Sequence, residues 1–443
     1  MIKQALHLTI GNLVSRCVFA ALTISLAKIT SPESYGALSF AIAVTTVSSY
    51  FCDLGIQNTY LRDVSGGKPL WGGYTLASLY IRIFLYVPVC VISYLIFHVF
   101  IKSPVTYKCV ALMFAPGVLG LALTSWISGA LLSRSKMEKI ALVRIKSALA
   151  QVVFVGGSAL IPATGEQRIE LLALGYGCGL LVGGFFGIEA VRLRKYSMTF
   201  DRFRHCARRL LHGLEGYVVS GLLYMLAPSI GVLILGRSSN LAVVGTFALA
   251  ARVPQFLYTV PGAAGQSFYP KLFRVARSRD WRSFSELFDK EAKLLLPIGV
   301  SLALAVLMAA PLIAKVVGHS SAALYQAEFR KALLIGAGII FMQCLSIPLG
   351  HVLETTGRTG LRTLGQIIAL LVAIILFSSL GQEFGLVGAM IAAVVTEVVL
   401  YVSWMSFIFL KIHQTRVTRL LISGFLGAIF VTICGGAMWK IYT

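Results

Sequence analysis

Three arginines, Arg16, Arg82 and Arg252, stand inside stretches of sequence that are otherwise apolar. A guanidinium stays charged when desolvated and presents a planar fork of donors that matches phosphate or carboxylate oxygens. Placing one deep in a bilayer costs at least about 2.5 kcal/mol on insertion scales, so each must face water, a protein partner or an anionic ligand. Two carboxylates, Asp53 and Glu397, lie at comparable positions in apolar sequence. They admit two readings, as carriers of a coupling proton or as structural partners of the arginines, an Arg16–Asp53 pair among them.

Polar stripes surround these charges. Arg252, Gln255, Thr259, Gly262 and Gln266 recur at alternating steps of three and four, one face of a helix. Asn12, Arg16 and Thr23 form a second stripe, and Gln343, Ser346 and Gly350 a third. Such faces line a polar cavity or form helix-packing seams, where small and hydroxyl residues are also frequent. On the cavity reading, Arg16, Arg252, Arg82, Asn12, Gln255 and Gln343 are candidate ligands of an anionic passenger. A cation exporter would instead gather carboxylates. The eight cysteines form no CxxC pair, and there is no metal-ligand spacing, Gly-rich phosphate loop or nucleophile elbow. No metal, cofactor or catalytic activity is expected.

The elements that must position these residues are membrane helices. The 443 residues are 57% hydrophobic and 13% charged, with mean hydropathy +0.84, an apolar excess that a water-soluble fold has no use for. A helix needs about 20 apolar residues to cross the hydrocarbon core, and polar breaks mark the ends of spans. This ruler predicts twelve: 8–29, 35–57, 74–100, 109–133, 143–162, 170–191, 213–235, 243–270, 294–316, 330–352, 363–380 and 386–410. Residues 420–439 make a candidate thirteenth helix. The first span is read as retained rather than as a cleaved signal.

With the N-terminus in the cytoplasm, most of the 39 Lys and Arg fall on cytoplasmic segments. The formal charge of +22 then belongs to loops such as RLRKYSMTFDRFRHCARR (192–209) and KLFRVARSRDWR (271–282), which suit anionic lipid and require no nucleic acid. Trp281, Phe284 and Phe288 repeat at helical spacing, so 280–291 is expected either to lie in the membrane interface or to extend a neighbouring span. All predicted outer loops are short, leaving no room there for a catalytic domain.

A shift of 209 residues lays 35–65 within 244–276, bringing Gly36 to Gly245 and Arg62 to Lys271. Both pieces follow a short outer turn and precede a basic inner loop. The chain therefore reads as all-α, two pseudo-symmetric six-helix bundles around a central cavity, divided as 1–200 and 201–443 with the extra C-terminal helix in the second. Parallel repeats of this kind are a transporter plan that works by alternating access.

LAKITSPESYGALSFAIA followed by DLGIQNTYLRDVS also resembles the N-terminal signature of bacterial polysaccharide-export proteins. Lys28 ends the first helix, Pro32 and Glu33 make a short turn, Tyr35 and Gly36 open the second helix, and Arg62 follows its inner end. The resemblance is to the O-antigen flippase (Wzx-type) branch of the multidrug/oligosaccharidyl-lipid/polysaccharide (MOP) exporter superfamily. It implies movement of an undecaprenyl-diphosphate-linked oligosaccharide from the cytoplasmic to the periplasmic leaflet of the bacterial inner membrane. It further implies Arg16 and Arg252 as cavity cations, membrane lipid as surroundings, and a polysaccharide polymerase and chain-length regulator as candidate partners. Rival readings are a lipid II-type flippase, a drug or cation antiporter of the same fold, and a membrane glycosyl polymerase.

Overall fold

The computed structural model describes residues 2–64, 71–101, 103–134, 136–191, 199–238, 240–317 and 323–411, and no strand occurs among them. The candidate helix at 420–439 lies outside these residues. Every one of the twelve expected spans falls on helix: α1 (Ile2–Ile29), α2 (Pro32–Asp53), α4 (Trp71–Phe100), α5 (Pro104–Leu132), α6 (Met137–Leu160), α7 (Gly165–Val191), the pair α9 (Glu215–Leu226) and α10 (Ile230–Ser238), the pair α11 (Leu241–Leu257) and α12 (Thr259–Arg277), α13 (Trp281–Val317), α14 (Ala323–Thr355), α15 (Thr359–Glu383) and α16 (Gly385–Lys411). Two shorter helices, α3 (Ile56–Val64) and α8 (Phe200–Leu211), stand between spans. Among the described residues, ten helices are long and apolar enough to cross a membrane, with α11–α12 taken as one, or eleven with the broken α9–α10 counted as a further span. The protein is an all-helical, multi-pass membrane protein.

Its contacts form two compact units. Unit 1 is Met1–Leu26 with Ser34–Ser229, and unit 2 is Ala27–Glu33 with Ile230–Thr443. The expected division at 200/201 falls within the first turn of α8, whose Cys206 and Leu210 pack into unit 1 with Ile56, Tyr60, Tyr74 and Ile81.

Within unit 1, α7 is the hub, and glycine makes it so. A Cβ at Gly177 would come within 2.8 Å of the Met113 carbonyl oxygen on α5, and one at Gly184 within 3.0 Å of the Gly120 oxygen. On another face of α7, a Cβ at Gly179 or Gly183 would meet the α6 backbone at Gln151 Cα (2.8 Å) or Ser147 Cα (2.9 Å). Lipid tails are as apolar as leucine, so helices in a membrane associate by close backbone approach at small residues. In unit 2 the most enclosed span is α14, packed against α11, α12, α13, α15 and α16. Its Leu349, Val352 and Leu353 join Phe284, Phe288, Trp404 and Ile408 in one core.

Three expected helices prove to be interrupted. The second ends at Asp53 rather than continuing to 57, because Leu54 and Gly55 adopt positive φ (46° and 82°) before α3 begins. Only glycine fits at 55, where a Cβ would also meet Tyr217 Cβ at 2.8 Å. The span expected at 213–235 is interrupted at Ala227–Ser229, where Pro228 removes a backbone donor. The span expected at 243–270 splits at Tyr258: Pro261 has no N–H for the Leu257 carbonyl, and its ring would clash with that oxygen.

The segment 280–291 is the opposite case. It is the first part of the 37-residue α13, which at 1.5 Å per residue is about 55 Å long and overshoots the hydrocarbon core. Phe284 and Phe288 are buried in protein, so this stretch extends a span and its aromatic face is not offered to the membrane interface.

Candidate functional site

Arg16 lies in the middle of α1 and is exposed. The helix bearing it crosses α6 so closely that a Cβ at Gly11 would meet Cα of Ala141 at 2.7 Å. One turn further along each helix this crossing brings up Arg16 and Arg144, and Arg144 lies within electrostatic reach of Arg16 and of the Tyr224 phenol. Arg144 went unnoticed in the sequence because it stands at the start of a span, where a basic residue reads as an end marker. Its signal was the pairing of Gly11 with small Ala141, which only the tertiary contact reveals. The side chain of Asn12 lies outside the described set.

Arg82, on α4, has a different environment. It is only 3% exposed, and its guanidinium donates to Asp53 at the C-terminal end of α2 and to the Ser78 carbonyl (3.1 Å). The ion pair expected as Arg16–Asp53 is thus formed by Arg82. The sequence offered both arginines, and the choice was made by the packing of α4 beside the end of α2.

In unit 2, Arg252 and Gln255 are half-buried on α11. The stripe expected to run unbroken to Gln266 crosses the interruption at Tyr258. Gly262 lies against the Tyr258 ring, and Gln266 is exposed on α12, which continues the same candidate span. Gln343 on α14 donates to Glu397 on α16 (Nε2 to Oε1, 2.8 Å), joining two residues to which the sequence gave separate roles.

A second acidic pair had no sequence signal. Glu291 of α13 is fully buried, its Oε1 lies 2.7 Å from His351 Nδ1 of α14, and its Oε2 is without a hydrogen-bond partner among the described residues. The Tyr269 ring packs on His351, and Gly265 of α12 leaves the space for both side chains.

The motif residues are structural in placement. Lys28 is in the last turn of α1, Pro32 and Glu33 begin α2, and Tyr35 and Gly36 are buried. Arg62 on α3 bonds Asp63 and donates to the His212 carbonyl (3.0 Å), capping the end of α8. Among the described residues no cluster of three or more His, Cys, Asp or Glu could hold a metal.

A family model described as polysaccharide biosynthesis protein matches residues 1–275. No curated protein matches the sequence. Among solved structures, the chain is similar to one described as lipid II flippase MurJ in an inward closed conformation, with TM-score 0.70 at 14% identity over 98% of this chain and 97% of that one. It is similar also to the eukaryotic MATE transporter AtDTX14 (TM-score 0.67, 12% identity, 97% and 98% covered). A third is an inward-facing multidrug resistance MATE family transporter of the MOP superfamily (0.60, 14%, 98% and 96%). At such identities these likenesses speak for the fold.

Proposed function

The chain belongs to the polysaccharide biosynthesis protein family, and from that premise we propose that it is a flippase for an undecaprenyl-diphosphate-linked oligosaccharide, an O-antigen or related repeat unit. It works in the bacterial inner membrane with its N-terminus in the cytoplasm, and carries the sugar head to the periplasmic leaflet by alternating access. The role is transport rather than catalysis.

The observation that carries this reading is the approach of Arg144 to Arg16 within a spanning part of unit 1. Two guanidiniums in reach of one another repel, and an interposed diphosphate turns that repulsion into attraction, with forks matched to its oxygens. Arg252, Gln255 and Asn12 add donors for phosphate and sugar hydroxyls. Arg82, neutralised by Asp53, is assigned to holding α2 and α4 rather than to the passenger. Gln343 and Glu397 act together, the amide fixing the carboxylate that is the candidate coupling group. A polysaccharide polymerase and a chain-length regulator would receive the delivered unit.

The test is export in a strain dependent on this protein. Arg16→Ala, Arg144→Ala and Arg252→Ala should each abolish surface polysaccharide while leaving protein in the membrane, and Lys replacements should partly restore it. Near-normal polymer from all three Ala variants at native expression would refute the reading. A lipid II-type flippase has the same phosphate chemistry, and rescue of cells depleted of their lipid II flippase would favour it. Export of a cationic dye that depends on Glu397 would favour the antiporter, and sugar-chain growth by the purified protein the polymerase.

A further inference from the structure

A cavity in unit 1 lies away from the arginines of the spans. It has a volume of about 980 Å³ and is bounded by α3 and α8, with Arg62, Asp63, Phe203, Arg204, Arg208 and His212 on its walls. All of these belong to unit 1. We infer that this cavity seats the phosphate headgroup of an anionic phospholipid, with the acyl chains continuing along the outer face of α4.

Helix α8 carries two faces with different tasks. Cys206 and Leu210 are buried in the core of unit 1, which fixes the helix in place. The cavity face runs Phe200, Arg204, Arg208, Leu211 at steps of four, four and three, so the four side chains form one stripe. Phe200 is 77% and Leu211 48% exposed, and between them stand two guanidiniums on adjacent turns. The guanidiniums of Arg204 and Arg208 have no hydrogen bond or ion pair among the described residues. The other charges at the cavity are engaged: Asp63 is held by Arg62, Arg62 caps α8 at His212, and Arg209 reaches the Tyr74 phenol. The cavity therefore offers two uncommitted cations set between apolar ends, complementary to an amphiphile with a negative centre.

What makes the ligand a lipid is the next helix. Phe203 packs edge-on against Tyr80 of α4, with ring centroids 6.1 Å apart. From Tyr80 the exposed apolar residues Phe84, Val87, Val91 and Leu95 follow one another along α4, which has the lowest buried share of the ten candidate spans among the described residues. A molecule with phosphate at Arg204 and Arg208 finds a continuous apolar track for its chains. A soluble phosphate would leave the exposed Phe200 and Leu211 without a purpose. The inference does not depend on the passenger proposed above.

The full-length protein, purified in detergent, is titrated with phosphatidylglycerol or phosphatidylcholine and bound lipid is counted by native mass spectrometry. An arginine near a membrane surface contributes about a factor of five in anionic-lipid affinity, so R204Q/R208Q should weaken phosphatidylglycerol binding roughly twenty-five-fold. R274Q/R277Q, an equal loss of exposed charge in unit 2, should not change it, nor should excess inorganic phosphate displace the lipid. Phe200→Ser should weaken binding with the charge intact, which keeps the test decisive if the double variant is poorly folded. Equal losses in the two double variants would show diffuse charge attraction and overturn the site. Displacement by inorganic phosphate, or equal retention of phosphatidylcholine, would overturn the lipid assignment.

Discussion

The pair between Arg82 and Asp53 allows a sharp test, because a structural partner and a passenger ligand respond oppositely to the same substitutions. Arg82 is 3% and Asp53 13% exposed. Truncating either leaves the other charge buried without its counter-ion, which typically costs roughly 3 to 5 kcal/mol, whereas replacing both by apolar groups of similar volume is close to neutral or stabilising. Arg82→Met and Asp53→Leu should therefore each be strongly destabilising, and the double variant should recover most of the loss. The coupling energy expected is several kcal/mol, far above the 0.3 to 0.5 kcal/mol within which independent sites add. Unfolding by SDS titration in mixed micelles, followed by tryptophan fluorescence, measures the cycle. Surface polysaccharide in cells measures function in parallel. Additive losses in the cycle, or a double variant that is stable yet cannot export, would refute the assignment of Arg82 to Asp53 and return it to the passenger.

Other expectations follow from the same packing. Gly184→Ala would press a methyl against the Gly120 carbonyl and Leu123 and should cost about 1 to 3 kcal/mol, while Gly156→Ala, with open space around it, should be neutral or slightly stabilising; equal effects in the same SDS assay would sink the account of α7. Glu291→Gln should keep the bond to His351 and leave the melting temperature little changed, whereas Glu291→Ala should cost about 1 to 3 kcal/mol by leaving the half-buried His351 without its partner, a ranking that thermal unfolding would contradict if reversed. Asp280 caps α13 by accepting from the Ser283 N–H (3.1 Å), and the Ser283 hydroxyl, together with that bond, holds its carboxyl below the ordinary range. A depressed folded-state value means a contribution present above about pH 4 and lost as the pH falls through the folded-state value. Asp280→Asn should flatten the acid limb of stability against pH, and an unchanged limb would count against the cap.

Helix positions were legible because a bilayer sets a minimum apolar length, and length and polarity are properties of the sequence alone. The interruptions were less so. Pro228 and Pro261 were visible as residues, yet proline in a membrane helix is tolerated when neighbours satisfy the freed carbonyls, so their effect depends on what packs nearby. Leu54–Gly55 was read as a motif and not as a left-handed turn, since the need for glycine comes from Tyr217, far away in the chain. Partner choice was the least legible. Asp53 had Arg16 and Arg82 as candidates, and Glu291 with His351 had no periodicity to announce it. The cations of the stripes were found by type, but Arg144 was hidden by standing where positive-inside charge is ordinary.

The two glycine rows of α7 bear on how such a chain can change over time. Where backbone meets backbone, the distance between helices is set by the absence of side chains, and a few positions carry that constraint. Residues facing lipid need only remain apolar, which many alternatives satisfy. A unit assembled in this way fixes its shape with few letters and leaves the rest free to drift, which is the physical room in which a common architecture survives at 14% identity.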